Sequence, residues 1–254
     1  MDSIAPQDAS APEPDPLAVC VYCASSPGID PGYRAAAECE FLPLGKALAA
    51  SGRPLVYGGG DRGLMGIVSN TVIQNGGYVT GVLPRAMVTA GGEGRGPVER
   101  AKAAGLPPSQ KQQVPAVNEG NHKSIVVESM HERKTIMARI AGGGFIGLPG
   151  GFGTFEEVLE AVTWSQLGIH QKPVVLLNIN GFWEPLRALI DGAIKEAFIQ
   201  EKNRTLVTFV QAPSEASSSD FDWGKAAVEA LESWKTPSDT GLFVWDQKTK
   251  WSST

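Results

Sequence analysis

Two pairs of charged residues in this chain have the chemistry to work on an anionic ligand: Arg133-Lys134 and Glu156-Glu157. The acidic pair follows Leu148-Pro149-Gly150-Gly151-Phe152-Gly153-Thr154-Phe155. That stretch joins a short apolar run, Phe145–Leu148, to an amphipathic segment over 155–167. It reads as strand, tight loop and helix N-terminus. Such a junction offers unpaired backbone N–H groups and a positive dipole end, which suit a phosphate. Its glycines would let the backbone come close to the anion. A plainer account stands beside this one. Thr154-Phe155-Glu156-Glu157 fits a capping box, with Thr154 at the N-cap and Glu157 at N3.

Arg133 and Lys134 fall near the start of a helical segment over 130–141, where dipole logic prefers acids. Two cations there are slightly unfavourable unless they face an anion; otherwise they are a solvated basic pair. If a phosphate sits on the glycine turn, a carboxylate one helical turn away lies near the rest of a ribose 5-phosphate. It could then stabilise an oxocarbenium-like transition state or orient water, as in glycoside hydrolysis.

Other chemistries are disfavoured. A dinucleotide fold needs G-x-G-x-x-G after the first strand and an acid ending the second. Here the first strand ends in Ala24-Ser25-Ser26 and the second in Gly58-Gly59-Gly60. There is no GxxxxGK[ST] and no G-x-S-x-G elbow. His122, His131 and His170 show no metal-ligand spacing and are expected to face solvent. Cys20-Val21-Tyr22-Cys23 has CxxC spacing but lies inside an apolar strand. Residues three apart on a strand face opposite sides, so buried thiols are expected rather than a redox pair.

The net charge of −5, without a basic run, argues against nucleic acid as a partner. No apolar run approaches the ~20 residues that cross a bilayer. No charged segment precedes an apolar one at the N-terminus, so the expected location is the cytoplasm.

The elements that must position these residues alternate strand, turn and helix. Strands are expected at 17–23, 53–57, 77–83, 124–127, 145–148, 172–178 and 205–210. Helices are expected at 33–50, 64–74, 130–141, 155–167, 183–197 and 223–234. That order predicts an α/β fold, a doubly wound parallel sheet of about seven strands in a single domain over 17–236. Ligands gather at the carboxyl ends of strands in such sheets. The Ser- or Gly-rich turns after Cys23, Tyr57 and Leu148 are expected to share one crevice. Residues 1–16 read as a disordered tail, 90–118 as a loop inserted at the crevice rim, and 237–254 as a C-terminal extension.

Pro149-Gly150-Gly151-Phe152-Gly153-Thr154-Phe155-Glu156-Glu157 resembles the PGGxGTxxE motif of the Lonely guy family. Val19–Gly28, Gly58–Gly66, Met130-His131-Glu132-Arg133-Lys134 and Thr163–His170 continue the resemblance, which covers roughly 19–212. It implies a Rossmann-like fold and hydrolysis of the N-glycosidic bond of N6-substituted adenosine 5′-monophosphates. Arg133 and Glu157 would be the catalytic pair. Gly150, Gly151, Gly153 and Thr154 would form the phosphate cradle, assisted by Lys134, with Ser26 and Thr163 as further substrate contacts. Glu119 is a candidate for an acidic contact from the region between Leu83 and Met130, where the chain is longer than the usual pattern. The resemblance further implies no metal, no organic cofactor, and a homodimer with active sites near the interface. A non-catalytic nucleotide-binding module with the same crevice is the competing expectation.

Overall fold

The computed structural model describes residues 12–33, 44–89, 118–213, 221–236, 243 and 245. Short apolar runs make the central strands: β1 (Val19–Tyr22), β2 (Leu55–Tyr57), β3 (Val79–Pro84), β6 (Gly144–Gly147) and β7 (Val174–Leu177). Nearly every residue of these strands is buried, as expected when helices cover both faces of a parallel sheet. β4 (Asn118–Glu119), β5 (His122–Val127) and β8 (Thr208–Val210) complete it. The strand order is β4-β5-β3-β2-β1-β6-β7-β8. All neighbours run parallel except β4, which pairs antiparallel with β5. The expected seven parallel strands are present. β4 is an addition at the edge, and its first residue, Asn118, is the last of the expected inserted loop.

The helices are α1 (Leu44–Ala50), α2 (Gly63–Gln74), α3 (Arg85–Thr89), α4 (Met130–Ile140), α5 (Phe152–Leu167), α6 (Glu184–Lys195) and α7 (Trp223–Ser233). A 3-10 turn over Glu201–Leu206 takes the first residues of the expected 205–210 strand and leaves β8 shorter. The sheet separates two apolar layers. Val19, Val21 and Cys23 pack into one, and Ala18, Cys20 and Tyr22 into the other. This period-two alternation puts the two cysteines on opposite faces, both buried.

The tail expected over 1–16 is tied down before its end. Asp15 bridges to Ala141, and its N–H donates to the Ile140 carbonyl at 3.0 Å. Gly142 leaves room for it, since a Cβ there would fall 2.4 Å from the Asp15 carbonyl oxygen. Residues 1–11 and the inserted loop over 90–117 lie outside the described residues. In the C-terminal extension, Trp245 is anchored: its indole N–H donates to the Leu167 carbonyl at 3.0 Å.

The strand order turns around at β1. Connections from β1 through β2 and β3 to β5 proceed one way across the sheet, and those through β6, β7 and β8 the other. The crevice of a doubly wound fold opens at such a switch point, outside the carboxyl ends of the strands.

Candidate active site

β1 and β6 end in register, Tyr22 beside Gly147. The Leu148 N–H donates to the Tyr22 carbonyl at 2.9 Å, and the Ala24 N–H to the Pro149 carbonyl at 3.2 Å. These bonds hold the turn after β1 against the glycine turn after β6. The turn before α2 joins them. Gly63 has φ +57, and a Cβ on it would lie 2.3 Å from the backbone of Ser25 and Ser26, so both conformation and space demand glycine. The three strand-end turns therefore meet. Those after β1 and β6, with residues of α2, α3, α4 and α5, line a cleft of about 330 Å³. Ser26, Arg133, Gly151, Gly153, Thr154, Glu156 and Glu157 line it.

The capping box expected at Thr154 is not present. α5 begins at Phe152 with Gly151 as its N-cap, and no side chain caps it. Thr154 sits inside the first turn, 4% exposed, where its side chain fills the space beside Gly150. A Cβ on Gly150 would fall 2.1 Å from the Thr154 hydroxyl, so packing accounts for that glycine. Packing does not account for Gly151 or Gly153. Neither has a positive φ, and a Cβ on either would meet nothing within 4 Å. What their bareness provides is backbone open to the cleft, at a helix start whose first N–H groups have no intrahelical partner.

A capping pair does exist, one helix earlier. Ser129 accepts from the Glu132 N–H at 3.0 Å, and the Glu132 carboxylate accepts from the Glu128 N–H at 2.8 Å. Ser129-Met130-His131-Glu132 carries that S-x-x-E signal in the sequence. The cap fixes the start of α4 and so the place of Arg133 one turn in.

Arg133 is 7% exposed. Its Nη2 lies 3.9 Å from Glu157 Oε1, and its Nη1 3.7 Å from the Met130 sulfur. Its Nε is buried without a hydrogen-bond partner. Gly58, just past β2, makes the slot, because a Cβ there would be 1.9 Å from Nη2. The Glu157 side chain is 12% exposed. Burial pushes its carboxyl up to about 7, against the opposing pull of Arg133; the Glu156 and Glu160 charges add to the rise. A desolvated carboxylate of this kind, facing a cation in a cleft, is a mark of functional sites.

The other predicted residues fall elsewhere. Lys134 does not line the cleft; its ammonium is shared by Glu156 and Glu160, at 3.0 Å from the latter. It ties α4 to α5. The cation pair that looked misplaced at a helix start thus has carboxylate partners on α5, for Arg133 as for Lys134. Thr163 is exposed on α5 and donates to the Leu159 carbonyl at 2.7 Å, away from the cleft. The Glu119 side chain lies outside the described residues. His170 is buried, contrary to expectation, with its Nδ1 accepting from the Lys172 N–H and its ring 5.0 Å from that of Phe145. His131 is exposed and His122 half-buried. No cluster of metal-ligating side chains occurs among the described residues.

Fold and site together define a Rossmann-like α/β protein whose switch-point crevice pairs a bare helix N-terminus with a buried guanidinium and carboxylate. Residues 65–219 match the sequence family described as possible lysine decarboxylase. The chain is 40% identical over 230 residues to the cytokinin riboside 5′-monophosphate phosphoribohydrolase LOG of Oryza sativa subsp. japonica, covering 91% of this chain and 78% of that one. It is 38% identical over 231 residues to the phosphoribohydrolase LOG7 of Arabidopsis thaliana, covering 90% and 88% respectively. The chain belongs to this Lonely guy (LOG) family. Among solved structures, the molybdenum cofactor binding protein of Rippkaea orientalis shares the fold, with a TM-score of 0.50 at 19% identity over 88% of this chain and 98% of that one.

The raised Glu157 carboxyl has a consequence for stability. Below pH 4.5, its ordinary value, it is protonated in both states. Between there and about 7 the unfolded chain releases the proton while the folded one keeps it, so stability falls as pH rises through this window. Glu157→Gln removes that loss. In chemical denaturation the variant is expected to gain on the parent by about 3 kcal/mol between pH 4 and pH 8. An offset that does not change with pH would show that the carboxyl is not desolvated.

Proposed function

We propose that this chain is a phosphoribohydrolase that cleaves the N-glycosidic bond of N6-substituted adenosine 5′-monophosphates, releasing the free base and ribose 5-phosphate. The observation that carries the reading is the buried Arg133–Glu157 pair beside the glycine turn. Its relatives in rice and Arabidopsis are named for that activity on cytokinin riboside 5′-monophosphates.

In this reading the 5′-phosphate lies on the backbone of Gly151–Thr154, which fixes the ribose relative to Glu157. The ionised carboxylate faces the positive charge that develops at C1′ as the bond to the purine nitrogen breaks, or aligns the water whose oxygen joins C1′. The water's proton ends on the departing base. Arg133 keeps Glu157 in place, and as a residue lining the cleft it brings a positive charge to an anionic oxygen of the ligand. Held in this way, the reactants need little further ordering, an effect worth several kcal/mol (about 7 or more in the best-oriented cases).

Decarboxylation through pyridoxal phosphate would need a lysine amine free to form a Schiff base in the cleft. Among the described residues no lysine lines it, and Lys134, the nearest in sequence to Arg133, is engaged by two carboxylates. These residues do not fit that cofactor. No helix among the described residues is long and apolar enough to cross a membrane. The reading places the enzyme in the cytoplasm as a homodimer. Phe152, 90% exposed, with Phe155 and Leu159, forms an apolar stripe on α5 beside the cleft, and this supports self-association. Thr163 continues that stripe, so any contact it makes to substrate would be across the interface.

Purified protein incubated with isopentenyladenosine 5′-monophosphate is expected to release isopentenyladenine; binding without turnover would leave the non-catalytic module as the better account. Glu157→Gln should lower kcat at least ~100-fold with monophosphate affinity within a few-fold of the parent. The parent's kcat/KM should rise with pH along an acid limb whose apparent pKa is about 7. Gly58→Ala tests the slot separately. The guanidinium can swing aside, so the fold should tolerate the methyl, but activity should fall about tenfold or more. In an Arg133→Ala background the same change should cost nothing further.

A further inference from the structure

Where α5 meets α4 it carries three carboxylates, Glu156, Glu157 and Glu160, and α4 answers with two cations, Arg133 and Lys134. None of the three acids lies in the first turn of α5. The field of a helix end fades beyond that turn, so side chains must supply the countercharge. Glu156 and Glu160, four residues apart, are a like-charge pair that on its own weakens a helix. Lys134 converts that repulsion into attraction, because its ammonium donates to both carboxylates, at 3.0 Å to Glu160. Burial pulls this ammonium down, but its bonds to Glu156 and Glu160 outweigh that and hold it above the ordinary lysine value. Lys134 therefore stays charged wherever Glu157 titrates.

The charge count then turns on Glu157. With its carboxyl protonated, two carboxylates face two cations and the cluster is balanced. Once it ionises, one negative charge is left over. The other groups acting on Glu157 do not change this count. Arg133 is a fixed cation, and burial pushes the Tyr22 phenol and the Cys20 thiol of β1 up, so both stay neutral. Glu156 and Glu157 line the cleft, whereas Glu160 does not. Its influence on the reaction runs through charge and through Lys134.

We infer that Glu160 is a positioning residue for the reaction and forms a counter-charge unit with Lys134: Glu160 draws the ammonium onto α5 beside Glu156, and the two opposite charges set how readily Glu157 ionises, Lys134 favouring it and Glu160 opposing it. The assignment rests on the phosphoribohydrolase reading for the identity of the reaction.

The test follows the acid limb of kcat/KM for isopentenyladenosine 5′-monophosphate in Glu160→Gln, Lys134→Met and the double variant. The two single changes break the same ion pair, so a purely structural tie would give like losses at every pH. The counter-charge unit gives opposite shifts. Glu160→Gln should move the limb to lower pH by about half a unit or more, raising kcat/KM at pH 6 about threefold relative to pH 9. Lys134→Met keeps the apolar stem and should move the limb up by a similar amount. The double variant should return close to the parent. Shifts in the same direction, or in neither variant, overturn the assignment. So does a raised KM at every pH in Lys134→Met with the limb unmoved, the mark of a direct phosphate contact.

A second arm needs no turnover and no lysine variant. The Glu157 carboxyl is followed by NMR in Glu160→Gln, where Lys134 keeps Glu156 as a partner. Its resonance should titrate below the parent's value of about 7. If the parent cleaves no nucleotide, the hydrolase reading fails while this titration still decides the counter-charge unit. An unmoved or raised titration overturns it.

Discussion

A carboxylate held out of water has to be answered by a cation, and the Glu157–Arg133 pair is where this protein meets that requirement. The two residues come from helices on opposite sides of the switch point, α4 after β5 and α5 after β6. Several features serve to bring them together. Ser129 and Glu132 fix where α4 begins, Gly58 vacates the volume that the guanidinium occupies, and Lys134 binds α4 to α5 through Glu156 and Glu160. At 3.9 Å the pair stops short of a tight ion pair, and the buried Nε keeps hydrogen-bonding capacity in reserve. A closer, fully satisfied pair would hold Glu157 firmly ionised and leave less for a ligand.

The same division of labour runs through the cleft. One side is backbone: two glycines that neither packing nor φ requires, at the start of a helix with no side-chain cap. The other side is thioether, from Met65, Met87 and Met130.

Much of this was legible in the sequence, for physical reasons. Buried parallel strands read as short apolar runs, so the strands at Val19, Leu55, Val79, Phe145 and Val174 stood out, and their order implied which turns share an edge. The opposed faces of Cys20 and Cys23 followed from the two-residue period alone. The errors have physical causes as well. Gly151-Phe152-Gly153 looks like loop, because glycine is a poor helix former, yet Gly151 caps α5 and the next two residues form its first turn; the capping box drawn from Thr154 was therefore three residues out. The carboxylate partners of Lys134 lie 22 and 26 residues away on another helix, a pairing that no local pattern encodes. His170 looked like a surface residue because one sequence does not show that it packs on Phe145. Burial and charge neighbours, which set the character of Glu157, exist only in three dimensions.

Burial holds the Glu157 carboxyl near neutrality, and a direct titration tests this. With glutamate labelled at the side-chain carboxyl carbon, NMR across pH 3–9 should show one resonance titrating at about 7, absent from Glu157→Gln. If Glu157 instead titrates with the exposed carboxyls, near 4.5, the cleft is wet at that point and the account of the charged pair is wrong.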